Sequence, residues 1–278
     1  MGIQAHHFQL VAALLYREAG ILLEPSRAYL VEARLTELAR DQHLPSYTDV
    51  IEKMQGALAK FWTKKIVEAL TVHETFFFRD TAFYDALKNT VIPGLIKRRT
   101  AEKTLSIWCA ACSTGQKPYS ISMMLREHFP SLRGWRIRFL ASDVSERVLK
   151  IAQEGSYNSL EINRGLPESL RDRYFTHAAE RWTVKPELKE GMEFRQLNLR
   201  HAFSGVGPVD LCLMRNVLIY FDEAMKNEVL TKVAAVLRED GLLFLCTSEL
   251  LHSGCTLFQR VRSLPTSAYC LSNQPQDR

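Results

Sequence analysis

From residue 104 onward the chain alternates short, unbroken apolar runs with longer amphipathic stretches, and this alternation limits its fold more than any other feature. The runs TLSIWCA (104–110), RIRFLAS (136–142), EFRQL (193–197), VDLCLM (209–214) and LLFLCTS (242–248) read as strands, with helices at 118–129, 145–154 and 222–238. Strands without a polar face are buried on both sides, and strands separated by helices are joined by crossovers. The pattern therefore predicts a mostly parallel sheet with helices on both faces. Ligands of such sheets sit outside the carboxyl ends of the strands. The segment 174–192 reads as a short β hairpin inserted before the third core strand.

Residues 5–70 carry a different period. Phe8, Val11, Ala12 and Leu15, then Leu30, Ala33, Leu35 and Leu38, then Val50, Ile51 and Met54 recur near 3.6 residues, with Pro25 and Pro45 as breaks. The expected organisation is a small all-helical domain at 1–70, a linker at 71–103 and an α/β domain at 104–278. The linker holds LTVHETFFFRD and ends in KRRTAEK (97–103), expected to be a solvated linker or helix end. The polar tail SNQPQDR is expected to fray.

A chain of 278 residues that is 46% apolar can bury one full core and a smaller one. It has no uninterrupted apolar run long enough to span a bilayer, and the start MGIQAHHFQLVAALLYREAG lacks the pattern of a signal peptide, so a cytoplasmic protein without membrane insertion is expected. Six cysteines are too few for a disulfide framework. Cys109 and Cys112 form a CxxC pair, but no second pair completes a zinc site, so packing is expected and no metal. The net charge of +5 is spread thinly, with eight basic and eight acidic side chains in residues 1–70, which is not a nucleic-acid footprint.

Four places carry chemistry. The turn ACSTGQKPYS (111–120) puts Gly115 and Lys117 between a strand and a helix, where backbone N–H groups suit a carboxylate or phosphate; an ordinary tight turn looks much the same. The second strand ends FLASD, which places Asp143 where an acid can hold ribose hydroxyls or, with Ser145, cap the next helix. QLNLR sets Asn198 just past the third strand. MRNVLIYFD sets Arg215 and Asn216 just past the fourth, and that polar pair after a buried strand fits the rim of a crevice better than a core.

In this order LTVHETFFFRD, IWCAACSTGQKPYSI, ASDVSERVLKIAQEGSY, QLNLR, MRNVLIYFD and GLLFLCTSE resemble the CheR family of chemotaxis receptor methyltransferases over nearly the whole chain. The resemblance implies a helical N-terminal domain before a Rossmann-like methyltransferase sheet. It implies methyl transfer from S-adenosylmethionine to receptor glutamate side chains, with S-adenosylhomocysteine as product. The implied cofactor residues are His73, Thr75, Arg79, Gly115, Lys117, Asp143, Asn198, Leu199, Arg215 and Asn216. Arg79 and Tyr220 are the implied catalytic residues, and Arg34 and Arg40 the implied receptor contacts. The implied partner is the cytoplasmic helical region of a methyl-accepting receptor, met by a monomer. Of the FFF run at 76–78, two rings are expected in the core.

A glutamate is already an anion at neutral pH, with a reference pKa of about 4.3, so it can attack a sulfonium methyl without a general base. Positioning and partial desolvation are then the main catalytic terms. The sequence departs from the family at two positions: Lys117 replaces an acid and His73 an asparagine. An acid suits the ammonium of the cofactor's methionine end, and a lysine reverses that sign. This departure carries the alternative reading, a degenerate binding or sensing module with weak or absent transfer.

Overall fold

The computed structural model describes residues 2–251 and 254–273, so the last five residues of the tail expected to fray lie outside the described ones. The chain forms two compact units, Met1–Val72 with Tyr220–Lys226, and His73–Ile219 with Asn227–Arg278.

The first unit holds α1 (Ala5–Ala19), α2 (Ala28–Asp41), α3 (Tyr47–Glu52) and α4 (Ala59–Leu70). Their apolar stripes meet in a core that includes Val11, Leu14, Val31, Leu35, Val50 and Ile66. Gly20 stops α1 in the left-handed region at φ 73°, where its N–H bonds the Tyr16 carbonyl. The segment Tyr220–Lys226 joins this unit through long-range contacts. Leu22 N–H donates to the Tyr220 carbonyl at 2.8 Å, and the Tyr16 hydroxyl donates to Asp222 at 2.8 Å.

The second unit begins with α5 (Thr81–Ala86), a π-helical turn at Leu87–Val91 and α6 (Ile92–Arg99). This is a correction to the linker expected at 71–103. Phe83, Leu87, Val91, Ile92 and Leu95 are buried in the core of the main sheet, so the stretch is an integral layer. Nor is the charged run wholly solvated. Arg99 is 7% exposed, because its Nε donates to Asp210 at 2.8 Å and its guanidinium also pairs with Asp240.

The main sheet has the order β6-β2-β1-β7-β8-β10-β9. Its members are β1 (Thr104–Ala110), β2 (Arg136–Asp143), β6 (Met192–Gln196), β7 (Val209–Met214), β8 (Leu237–Phe244), β9 (Phe258–Arg260) and β10 (Ala268–Leu271). The pairs from β6 to β8 are parallel, and β10 is antiparallel to both neighbours. The helices α7 (Gln116–His128), α8 (Glu146–Glu154) and α11 (Glu223–Val236) connect them. This is the expected α/β class, with a Rossmann-like sheet and a small helical domain. Strand β8 stops at Phe244, short of the expected 248, because the Cys246 N–H bonds the carboxylate of Glu249 instead of a neighbouring strand. Strands β9 and β10 span only three and four residues, too few for a period to show.

The expected insertion is a hairpin of β4 (Phe175–Ala178) and β5 (Arg181–Val184), with β3 (Ser156–Tyr157) paired to β5 as a third strand and α9 (Ser159–Asn163) and α10 (Glu168–Tyr174) between. Ala179 and Glu180 both take positive φ, 47° and 63°, as a two-residue hairpin turn of the favoured twist demands. Phe77, Tyr157 and Phe175 pack edge to face beneath it. Of the FFF run, Phe77 is buried, Phe78 packs partly buried against two cores, and Phe76 carries the Arg79 and Arg164 guanidinium groups on its ring.

Candidate functional site

The carboxyl ends of β1, β2, β6 and β7 gather most of the residues singled out in the sequence. Just past β1 the backbone turns with Ala111, Ser113 and Gly115 all at positive φ, 53°, 52° and 96°. The Cys112 N–H donates to the Ser142 carbonyl at 2.9 Å and the Gly115 N–H to the Cys112 carbonyl at 3.1 Å, so the turn is held tightly by its own backbone. A Cβ at Gly115 would lie 3.0 Å from the Ala152 side chain and 3.1 Å from the Tyr157 hydroxyl, so only glycine fits here without strain. The same residue is the N-cap of α7, whose N-terminal N–H groups add positive potential.

Non-glycine residues seldom take positive φ, and where they do the strain often marks function. Among the described residues the second unit has eight: Ala179 and Glu180 form the hairpin turn, Lys103 lies away from the crevice segments, and Phe78, Asp80, Ala111, Ser113 and Asn216 belong to them.

Hydrogen bonds tie these segments into one array. Asp143, 5% exposed, accepts from the Ser113 N–H at 2.9 Å and from the Ser145 N–H at 3.1 Å. Ser145 in turn caps α8, so the acid braces the turn and the helix start together. A carboxylate offers about four acceptor sites, which leaves Asp143 capacity for further donors such as ribose hydroxyls. The Ser113 hydroxyl donates to the His73 carbonyl at 2.7 Å, and the Phe78 N–H donates to the Ser120 hydroxyl at 3.0 Å, so the aromatic segment lies against the turn. On the other side the Leu197 N–H donates to the Asp143 carbonyl at 2.9 Å and brings the Asn198–Leu199 pair alongside. Asn198 there accepts from the Arg200 N–H, and the Leu199 carbonyl accepts from Lys232 Nζ at 2.7 Å.

Arg215 is 5% exposed. Its guanidinium pairs with Asp80 and lies 4.3 Å over the Phe83 ring, while its Nε is buried with no hydrogen-bond partner among the described residues. A buried charged donor left unpaired costs free energy, so this atom suits a ligand with an acceptor such as a carboxylate. Lys117 Nζ lies 3.5 Å from the Arg215 carbonyl, so the side chain reaches the carboxyl end of β7 and does not swing away from it.

Burial pushes the Cys109 and Cys112 thiols up, as expected of packing cysteines. Burial also pushes on the Cys246 thiol, but Ser248, Arg215 and Asn216 outweigh it and hold that thiol below its ordinary value.

The other expected residues belong to the aromatic segment or to the first unit. Arg79 turns back on its own segment, its Nη1 donating to the Glu74 carbonyl at 3.1 Å. Thr75 lies half-buried in the same segment. Tyr220, Arg34 and Arg40 belong to the first unit. There Arg34 pairs with Glu37 at 3.2 Å on the exposed side of α2, and Arg40 is likewise exposed. Two functional candidates escaped the sequence reading. Asp80 had a usable signal, since an aspartate directly before a helix marks an N-cap, and it does accept from the Phe83 N–H. Glu249 closes the quoted run GLLFLCTSE, but three of its four backbone partners are more than 30 residues away, so its role could not be read there.

Residues 73–266 match the family model described as CheR methyltransferase, SAM binding domain, and residues 6–70 match CheR methyltransferase, all-alpha domain. The chain is 36% identical over 266 residues to chemotaxis protein methyltransferase Cher2 of Pseudomonas putida, covering 94% of this chain and 96% of that one. It is also 36% identical over 269 residues to chemotaxis protein methyltransferase 1 of Pseudomonas aeruginosa, with the same coverage of 94% and 96%. Among solved structures, the plantazolicin methyltransferase BpumL in complex with SAH is 14% identical over 78% of this chain and 58% of that one, at a TM-score of 0.35.

Proposed function

The chain belongs to the CheR methyltransferase family and takes S-adenosylmethionine as its cofactor, and on that premise we propose that it esterifies glutamate side chains of methyl-accepting chemotaxis receptors. The observation that carries this reading is the joined array at the carboxyl edge of the sheet. There a braced acid, Asp143, and a buried arginine whose Nε has no partner among the described residues, Arg215, flank the positive-φ turn at 111–115 and the start of α7.

Each end of the cofactor has chemistry to meet it in this reading. Asp143 receives the ribose hydroxyls, and Asn198 and Leu199 border the adenine. Arg215, Asn216 and the 111–117 turn take the methionine end, with His73 and Thr75 beside them. When bound, S-adenosylmethionine supplies a methyl group on a positively charged sulfur. The chain's own residues need only bring a carboxylate oxygen into line behind that carbon and strip water from it. Arg79 orients the carboxylate, while Arg34 and Arg40 meet an acidic receptor helix. The acceptor is already ionised, so no side chain has to remove a proton.

The test is transfer of labelled methyl from S-adenosylmethionine to a receptor cytoplasmic fragment. A glutamyl ester releases its label as methanol in mild alkali, and replacing the receptor's acceptor glutamates with alanine abolishes labelling. Alkali-stable label would mean that the methyl group is not on a carboxylate oxygen.

A further inference from the structure

Glu249 is a carboxylate 5% exposed whose recorded partners are all backbone N–H groups. Its Oε1 accepts from Val217 at 2.7 Å and Leu218 at 2.8 Å; its Oε2 accepts from Asn216 at 2.8 Å and Cys246 at 2.8 Å. Three of these four donors are consecutive and directly follow Arg215. Three N–H groups in a row converge on one point only if the chain curls sharply, and Asn216 supplies the curl with φ 63°. The fourth donor comes from the chain just past β8, so one side chain fastens the exits of two adjacent strands.

The peptide group between Arg215 and Asn216 is held from both sides. Its carbonyl faces Lys117 Nζ at 3.5 Å, and its N–H meets Glu249 at 2.8 Å. The orientation of that peptide sets the direction in which Arg215 and Asn216 leave the end of β7. We propose that Glu249 is a positioning residue for the cofactor site: its carboxylate folds the loop after β7 so that Arg215 and Asn216 face the crevice. This rests on the reading of the carboxyl edge as the cofactor site.

The chemistry of the four donors makes a specific demand. Two oxygens that accept four N–H groups leave no room for a donor of their own. A glutamine would turn an NH2 group toward N–H groups, so it should fail as alanine does, although it matches glutamate in size. Hydrogen bonds to an ionised acceptor are also the stronger kind.

The experiment compares Glu249→Gln and Glu249→Ala with Leu243→Ala, a control that empties a core position on neighbouring β8. Calorimetric titration with S-adenosylhomocysteine should show at least a tenfold loss of affinity in both Glu249 variants. The control, though lowered in melting temperature, should bind as the parent does. A glutamine variant that binds normally, or a control that loses as much affinity, overturns the proposal. Should the Glu249 variants not fold, amide exchange in the unaltered protein decides. The N–H groups of Asn216, Val217, Leu218 and Cys246 should be protected together, and fast exchange at the loop amides overturns the proposal. An unaltered protein that binds no S-adenosylhomocysteine would sink the cofactor reading instead, while the exchange measurement would still judge Glu249.

Discussion

The two ends of β7 both meet a buried carboxylate, and the two are built in opposite ways. At the amino end Asp210 accepts from Arg99 Nε at 2.8 Å and from the Ser106 N–H at 2.7 Å, with Arg238 3.5 Å away. At the carboxyl end Glu249 is surrounded by backbone donors. Charge paired with charge locks α6 and β1 to the sheet and needs no particular loop shape. A carboxylate fed by peptide N–H groups fixes the backbone itself, which is what a ligand-facing loop requires. The amino end should therefore govern stability and the carboxyl end binding.

The largest effect should come from breaking the amino-end network. Asp210→Ala leaves Arg99 buried with Asp240 as its remaining acidic partner, and removing one partner of a buried pair costs about 3–5 kcal/mol, so denaturant unfolding should show a loss near 3. Affinity for S-adenosylhomocysteine, per folded molecule, should hold. A loss of affinity with unchanged stability would reverse the comparison.

At the other end Lys117 gives the next effect. Its Nζ faces the end of β7, so Lys117→Glu replaces repulsion of the cofactor's ammonium with attraction. Unit charges about 4 Å apart interact by about 1 kcal/mol in water and about 4 at a surface-like dielectric. Calorimetry should show S-adenosylmethionine binding tightened within that range, with the gain shrinking in high salt. An unchanged constant would mean that the ammonium lies elsewhere. Asp143→Ala should weaken binding by about 1–3 kcal/mol, as a lost charged hydrogen bond does, and unchanged affinity in a folded variant would remove Asp143 from the site.

The smallest effect is one of pH on the amino-end network. Burial alone would raise the Asp240 carboxyl, but Arg99 and Arg98 outweigh it and hold it below its ordinary 3.8. A depressed acid contributes stability above its ordinary value and loses it as pH falls through the folded value. Stability should thus drop below about pH 3.8, and Asp240→Asn should flatten that part of the curve. A curve that Asp240→Asn leaves unaltered would show that other carboxylates set the acid limb.

The sequence by itself determined the class of fold, because burial on both faces leaves an unbroken apolar run and burial on one face leaves a period of 3.6. It also placed Asp143, Asn198, Arg215 and Asn216, since the carboxyl end of each strand can be read from where its apolar run stops. Tertiary structure alone decided the rest. Residues 81–99 became an integral layer because their apolar side chains found the sheet, and Tyr220–Lys226 joined the helical unit through Leu22 and Tyr16. The direction of Lys117 was set by a carbonyl 98 residues away, and the role of Glu249 by N–H groups up to 33 residues away. Periodicity records which side of an element is buried, whereas a hydrogen bond between remote residues leaves no period, and its geometry exists once the chain has closed on itself.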